Sequence, residues 1–315
     1  MEMRPSERWR ELLDERVAEA ARLLGSAGGV HGLIVGGSVG RGEPWPMSDI
    51  DLLPIYLRSR DDDAQLEARR AELVDWWTGS GRAQALDVGK LAFTVGEVRD
   101  AMRRTPEQVV GLLGDQRWFH GLDKAYGGRA ADLGDELTSG FVAWINVVRF
   151  HPAIVAARRE TWRTTAAEAV ATAATAEPAQ ATYLVREAAR ALRMDLLESW
   201  GERLGSMGRE WTRFERMARR HGQQEAARRL AVLAGADVET ASRRAEVAPV
   251  WLRERIDLCL RARLAVGEEV TAAENARDQL VAYTLHVVRK RPDLDGPWTG
   301  SPEPRLDRFL TELGR

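Results

Sequence analysis

Between Gly36 and Leu52 the chain reads Gly-Gly-Ser-Val-Gly-Arg-Gly-Glu-Pro-Trp-Pro-Met-Ser-Asp-Ile-Asp-Leu, a glycine-serine turn followed closely by two carboxylates. Gly36 and Gly37 have no Cβ, so their backbone can approach a polyphosphate, and Ser38 adds a hydroxyl beside them. On a strand, alternate residues face the same way, so Asp49 and Asp51 project together while Ile50 and Leu52 point to the opposite, buried face. Two adjacent carboxylates repel unless a cation lies between them. Mg²⁺ is the usual one where hard oxygen ligands meet phosphates. The pattern therefore points to metal-dependent chemistry on a nucleoside triphosphate.

A second metal, or removal of a proton from an attacking hydroxyl, calls for a third carboxylate from a neighbouring strand. Asp87 is the candidate, the sole acid between Gly81 and Gly96 and set in the strand-like run Ala-Leu-Asp-Val-Gly-Lys-Leu-Ala-Phe. An isolated acid among apolar residues must find a partner or shift its pKa, which favours a site. A carboxylate bonded to Arg82 or to the backbone is the alternative. Lys90, three residues on, is placed either to reach a triphosphate or to keep an edge strand soluble.

The elements that must position these residues are legible around them. Val30 to Val35 is a short apolar run that delivers the chain to the glycine turn, and residues 64–77 read as the helix leading to the Asp87 strand. Ahead of the run, Trp9, Leu12, Leu13, Val17, Ala20 and Leu24 recur at helical spacing and form a stripe to pack beneath the sheet. Thr105-Pro106-Glu107-Gln108 has the capping-box pattern with Pro at the first helical position. Glycines at 121, 127, 128, 134 and 140 then punctuate the chain, and strand-like alternation ceases. We place the domain boundary near residue 125, giving domains at 1–125 and 126–315. In the second, residues 141–157, 179–203, 208–221, 224–233, 250–264 and 268–289 read as helices, with Pro178 interrupting an alanine-rich stretch, and together they suggest an up-and-down bundle.

The spacing of Gly37-Ser38, ten residues, then Asp49-Ile50-Asp51 resembles the signature of the nucleotidyltransferase superfamily with the DNA polymerase beta-type palm, and in length and layout the antibiotic (aminoglycoside) nucleotidyltransferases. The likeness covers about the first third of the chain. It implies an α+β fold, a palm of mixed sheet flanked by helices followed by an all-helical domain. It also implies that Gly36, Gly37 and Ser38 hold the triphosphate of ATP or another NTP, with Arg41 near the outer phosphates. Asp49, Asp51 and Asp87 would ligate Mg²⁺, two ions serving the entering and leaving oxygens. Trp45 between Pro44 and Pro46 departs from the family pattern and implies a stiffer loop. The expected reaction moves AMP from ATP to a hydroxyl of a small molecule, with an aminoglycoside-like acceptor.

Two other readings stand beside it: nucleotidylation of a protein or RNA partner, as in toxin-associated relatives, and a nucleotide-binding regulatory module whose catalysis has lapsed. The joint presence of three aspartates argues against the last. In the helical domain, Glu187 can orient an acceptor hydroxyl or cationic sugar, or pair with Arg190. Arg209, in Arg-Glu-Trp after Gly208, looks loosely like a turn that relatives place against the nucleotide. Homodimers are common among such relatives.

A formal charge of −2 opposes an extended grip on nucleic acid. All but three of the 46 basic residues are arginines, many in doublets that we read as solvated helix faces. The single Cys259 excludes an internal disulfide and reads as a small core residue. No apolar run reaches membrane-spanning length and the N-terminus is charged, so a cytoplasmic protein is expected. Dispersed histidines support neither zinc catalysis nor a triad.

Overall fold

The computed structural model describes residues 5–60, 63–82, 84–205, 208–246, 248 and 250–282. It is a mixed α/β protein, mostly helical, with one small mixed sheet. The described chain divides into two compact units, at residues 5–154 and 155–282.

In the first unit, helix α1 (Pro5–Gly25) leads to strand β1 (Val30–Val35) and the single turn α2 (Gly37–Gly40), followed by β2 (Ile50–Tyr56) and α3 (Ala64–Gly79). Then come β3 (Leu86–Val88), β4 (Phe93–Thr94), α4 (Val95–Met102), α5 (Pro106–Val109), α6 (Gln116–Ala125), β5 (Arg129–Ala130) and α7 (Glu136–Val148). The path across the sheet is β3-β2-β1-β5, with β4 also pairing β2. β1 is antiparallel to β2 and β5, whereas β3 and β4 run parallel to β2. A parallel pair needs a crossover, and α3 supplies it.

Side-chain alternation along β2 separates two layers. Ile50 and Leu52 join Leu13, Val17 and Leu24 of α1 and Leu66, Leu73 and Trp77 of α3 in one apolar core, as the sequence leads one to expect. The other face is closed by α6 and α7, where Phe93, Trp118 and Phe141 meet with ring centroids 4.6 to 6.1 Å apart. Gly121 lets α6 come this close, since a Cβ there would lie 2.6 Å from the Phe93 ring. The capping box at Thr105 and Gln108 is formed, with Thr105 N donating to Gln108 Oε1.

A break near residue 125 would fall between α6 and β5. The structure moves it: β5 pairs with β1 and α7 packs on the same sheet, so the first unit runs on to Ile154. The helix expected over 141–157 is in fact two, because α7 ends at Val148 and α8 (Pro152–Ala173) starts on a proline that disfavours helical backbone at His151.

In the second unit every described element is a helix. After α8 come α9 (Pro178–Trp200), α10 (Glu210–Arg220), α11 (Gln224–Ala234), α12 (Val238–Glu246), α13 (Val250–Ala265) and α14 (Ala272–Ala282). Pro178 opens α9, where its missing N–H costs nothing. α12 was not expected, and the expected continuation of the last helix over 283–289 lies outside the described residues. Trp211, Phe214 and Leu197 anchor one apolar cluster and Leu252, Ile256 and Leu280 another. Cys259 is buried, and burial pushes its thiol up to about 11, consistent with a core residue. No single described helix is long and apolar enough to cross a membrane.

Candidate active site

Asp51 and Asp87 are direct partners across the parallel β2–β3 pair. Asp49 lies in the extended approach to β2, one residue before the pairing starts at Ile50, whose N–H donates to Ala85 O at 2.9 Å. Its charge is felt at Asp51, as is that of Asp87. The three aspartates read from the sequence therefore gather at one end of β2 and β3.

The glycine turn sits directly against them. Gly36 N donates to Asp51 O at 2.9 Å, which ties the end of β1 to the acid strand. Gly37 has φ of 61°, and a Cβ there would collide with the Asp51 carboxylate. Glycine is needed at this position twice over, for its left-handed backbone and for the space its missing side chain leaves to the acid. Ser38 is buried, with its hydroxyl 2.9 Å from that of Ser48, which also accepts the Trp45 N–H at 3.0 Å. The same loop is held from below: Gln84 Nε2 donates to Ser48 O at 2.9 Å, and Arg16 of α1 donates to Gln84 Oε1. Trp45 is buried, so the proline-flanked loop is packed as well as hydrogen-bonded.

Electrostatically, the centre of the site is Asp51. Its carboxyl is pushed up to about 6, first by burial and then by the negative charge of Asp49, with Asp87 adding to the rise and Lys124 opposing it. Lys124, on α6, places Nζ 2.5 Å from Asp51 Oδ1 and 3.9 Å from Asp87 Oδ2. The first approach is that of a close ion pair. Burial lowers the lysine's pKa, but the three aspartates outweigh it and leave the ammonium raised. No sequence signal named Lys124. It comes from a helix far along the chain, and only the packing of α6 on the sheet reveals it.

The other expected residues fall as follows. Lys90 reaches Asp87 Oδ1 at 3.8 Å from an exposed position, at the rim of the same crevice. Arg41 follows the turn; its side chain is nearly buried, its methylenes lie against Gly127 and its guanidinium is 4.0 Å from Glu43. Arg82 pairs with Glu19 at 3.5 Å, so it is not the partner of Asp87. In the second unit, Glu187 pairs with Arg190 at 3.7 Å, and Arg209 is buried at the start of α10, 3.5 Å from Glu268.

Three aspartates provide hard oxygen donors of the kind Mg²⁺ prefers, and the Asp51 carboxylate already accommodates a cation. The donor chemistry suits the metal, but among the described residues no group of three or more His, Cys, Asp or Glu side chains is arranged so that it could hold a metal ion. A roomier cavity of about 340 Å³, lined by Glu97, Asp100, Arg104, Asp115, Arg117 and Trp118, lies elsewhere in the first unit. Its central Arg117 is tied to Asp115 at 2.6 Å and Glu97 at 3.1 Å, leaving that cavity without a reactive pair.

Comparison with known proteins gives no match to a family model, a curated protein or a solved structure.

Proposed function

We propose that this chain is a Mg²⁺-dependent nucleotidyltransferase that moves AMP from ATP onto a hydroxyl of a small, aminoglycoside-like acceptor. One observation supports this above the rest: Asp51 stands opposite Asp87 in parallel register, beside a glycine turn that has room for its carboxylate only because Gly37 lacks a side chain. The spacing of turn and acids, with its likeness to the polymerase beta-type palm, points the same way.

In this reading Asp49, Asp51 and Asp87 hold Mg²⁺, and Gly36, Gly37 and Ser38 lie along the triphosphate. The metal supplies charge neutralisation and alignment of the phosphates. The acceptor oxygen forms a bond to the α-phosphorus as the bond from that phosphorus to the bridging oxygen breaks and pyrophosphate leaves. In the same reading the hydroxyl proton passes to Asp87, the more exposed of the paired carboxylates. No covalent enzyme intermediate is needed, so the work falls to positioning and electrostatics.

The test is pyrophosphate release and adduct formation from labelled ATP, Mg²⁺ and a panel of hydroxylated acceptors. Asp49→Ala and Asp51→Ala should each lower turnover about 10²–10³-fold while the circular dichroism spectrum is kept. Undiminished turnover in both variants, or no acceptor-dependent release with any of the common NTPs, would remove the assignment.

A further inference from the structure

Lys124 is the cation that the carboxylates face, and two features hold it there. Its carbonyl oxygen backs onto Gly36, where a Cβ would come within 2.7 Å of it, so the glycine turn and this turn of α6 are packed as one piece. Its ammonium reaches both Asp51 and Asp87, at 2.5 and 3.9 Å, whereas Lys90 touches only the rim acid. The Lys124 side chain keeps 30% of its surface exposed, and a flexible four-carbon stem links its ammonium to the helix.

We propose that Lys124 is a built-in counter-ion of this site, and that a divalent cation enters only by displacing its ammonium from between Asp51 and Asp87. The inference rests on the nucleotidyltransferase reading and adds an order of events to it. A bare metal ion must compete with a tethered positive charge at the same oxygens, and like charges a few ångströms apart repel strongly in a partly buried setting. A metal ion that arrives with a triphosphate brings anionic oxygens that offer the displaced ammonium a new partner. Metal and nucleotide then bind with positive coupling, and the coupling is reciprocal. The lysine is here a gating residue. It suppresses occupation of the site by metal alone and holds the acids in place until substrate comes.

The probe is Mn²⁺, followed by the electron-spin signal of the free ion, with and without a non-hydrolysable ATP analogue. Wild type should bind Mn²⁺ alone weakly and bind it much more tightly with the analogue. Lys124→Met should tighten binding of Mn²⁺ alone at least about tenfold and shrink the gain from the analogue, while Lys124→Arg, which keeps the charge, should behave as wild type. The inference is overturned if Lys124→Met binds Mn²⁺ alone no more tightly than wild type while Asp51→Asn still weakens binding in both backgrounds. If Mn²⁺ binds neither protein, or binds both regardless of Asp51→Asn, the metal site itself is wrong and the inference goes with it. Should Lys124→Met not fold, wild type still decides. The chain has three lysines, Lys90, Lys124 and Lys290, so ¹³C-methylated lysines give a resolvable spectrum. The Lys124 signal should move with Mg²⁺ plus analogue and stay with Mg²⁺ alone; an equal shift under both conditions overturns the proposal.

Discussion

Asp51 is held in a place that disfavours its own charge, and this has a measurable consequence for stability. Its carboxyl ordinarily titrates at 3.8 and in the folded protein at about 6. As pH rises through that interval the unfolded chain gives up its proton first, so the unfolded state is favoured progressively and stability falls, then stays level above the folded value. Asp51→Asn cannot ionise and escapes this loss. Its stability relative to wild type should therefore climb by on the order of 1–3 kcal/mol between pH 4 and pH 7, whatever pH-independent penalty the substitution itself imposes. Urea unfolding without metal at the two pH values checks this, and a flat difference would show that Asp51 is not strained. Gly37 supplies a companion prediction. Gly37→Ala puts a side chain at φ of 61° and into the Asp51 carboxylate, so it should cost about 2 kcal/mol or more and turnover should fall at least about 100-fold, read from urea midpoints and the pyrophosphate assay.

The second unit is organised by a charge that belongs to one helix and serves another. Asp278 of α14 is fully buried and accepts from the N–H groups of Trp211 and Thr212 at 3.0 and 3.1 Å, from the Thr212 hydroxyl at 2.6 Å and from Arg263 at 2.8 Å. It thereby caps α10 from outside, a task that a local Ser or Asp usually performs. Burial pushes its carboxyl up, against the pull of Arg277 and Arg263. Asp278→Ala should lower stability by about 3–5 kcal/mol because it strips the α10 cap and leaves buried guanidiniums short of a partner; a thermal melt unchanged within a degree would refute that. Nothing in the sequence near Arg209 announces this device, since the two ends meet only through packing. The same reason hides Lys124 and Gln84. The features with a local signal are present in the fold: the β1 run, the alternation of Ile50 and Leu52, the Thr105 capping box and the break at Pro178 before the body of α9. α12 escaped because its core face is built of Ala241 and Ala245, with no large apolar side chain to mark it. β5 escaped because two residues carry no alternation at all.

At the scale of the whole molecule, the question is where so many arginines spend their charge. The doublets read as solvated helix faces are so in part: Arg228 and Arg229 pair with Glu225, and Arg70 with Glu67. Others turn inward. Arg158 is buried against Glu198 with 2.6 Å between them, contrary to the solvated reading, and Arg193, Arg263 and Arg277 are buried with Glu210, Asp278 and Glu215. A guanidinium matched to a carboxylate within the fold adds little to the outer field, and the whole chain carries a net −2. Binding to a nucleic acid backbone needs unneutralised cations along one face, and each phosphate contact steepens the salt dependence by about 0.9 in the log–log slope. The protein should therefore bind a labelled duplex or single strand more weakly than about 10 µM at 50 mM salt, with almost no slope up to 200 mM. Fluorescence anisotropy measures both. Sub-micromolar binding with a steep slope would mean that a basic face is built after all, and would move the acceptor of the proposed transfer from a small molecule to RNA.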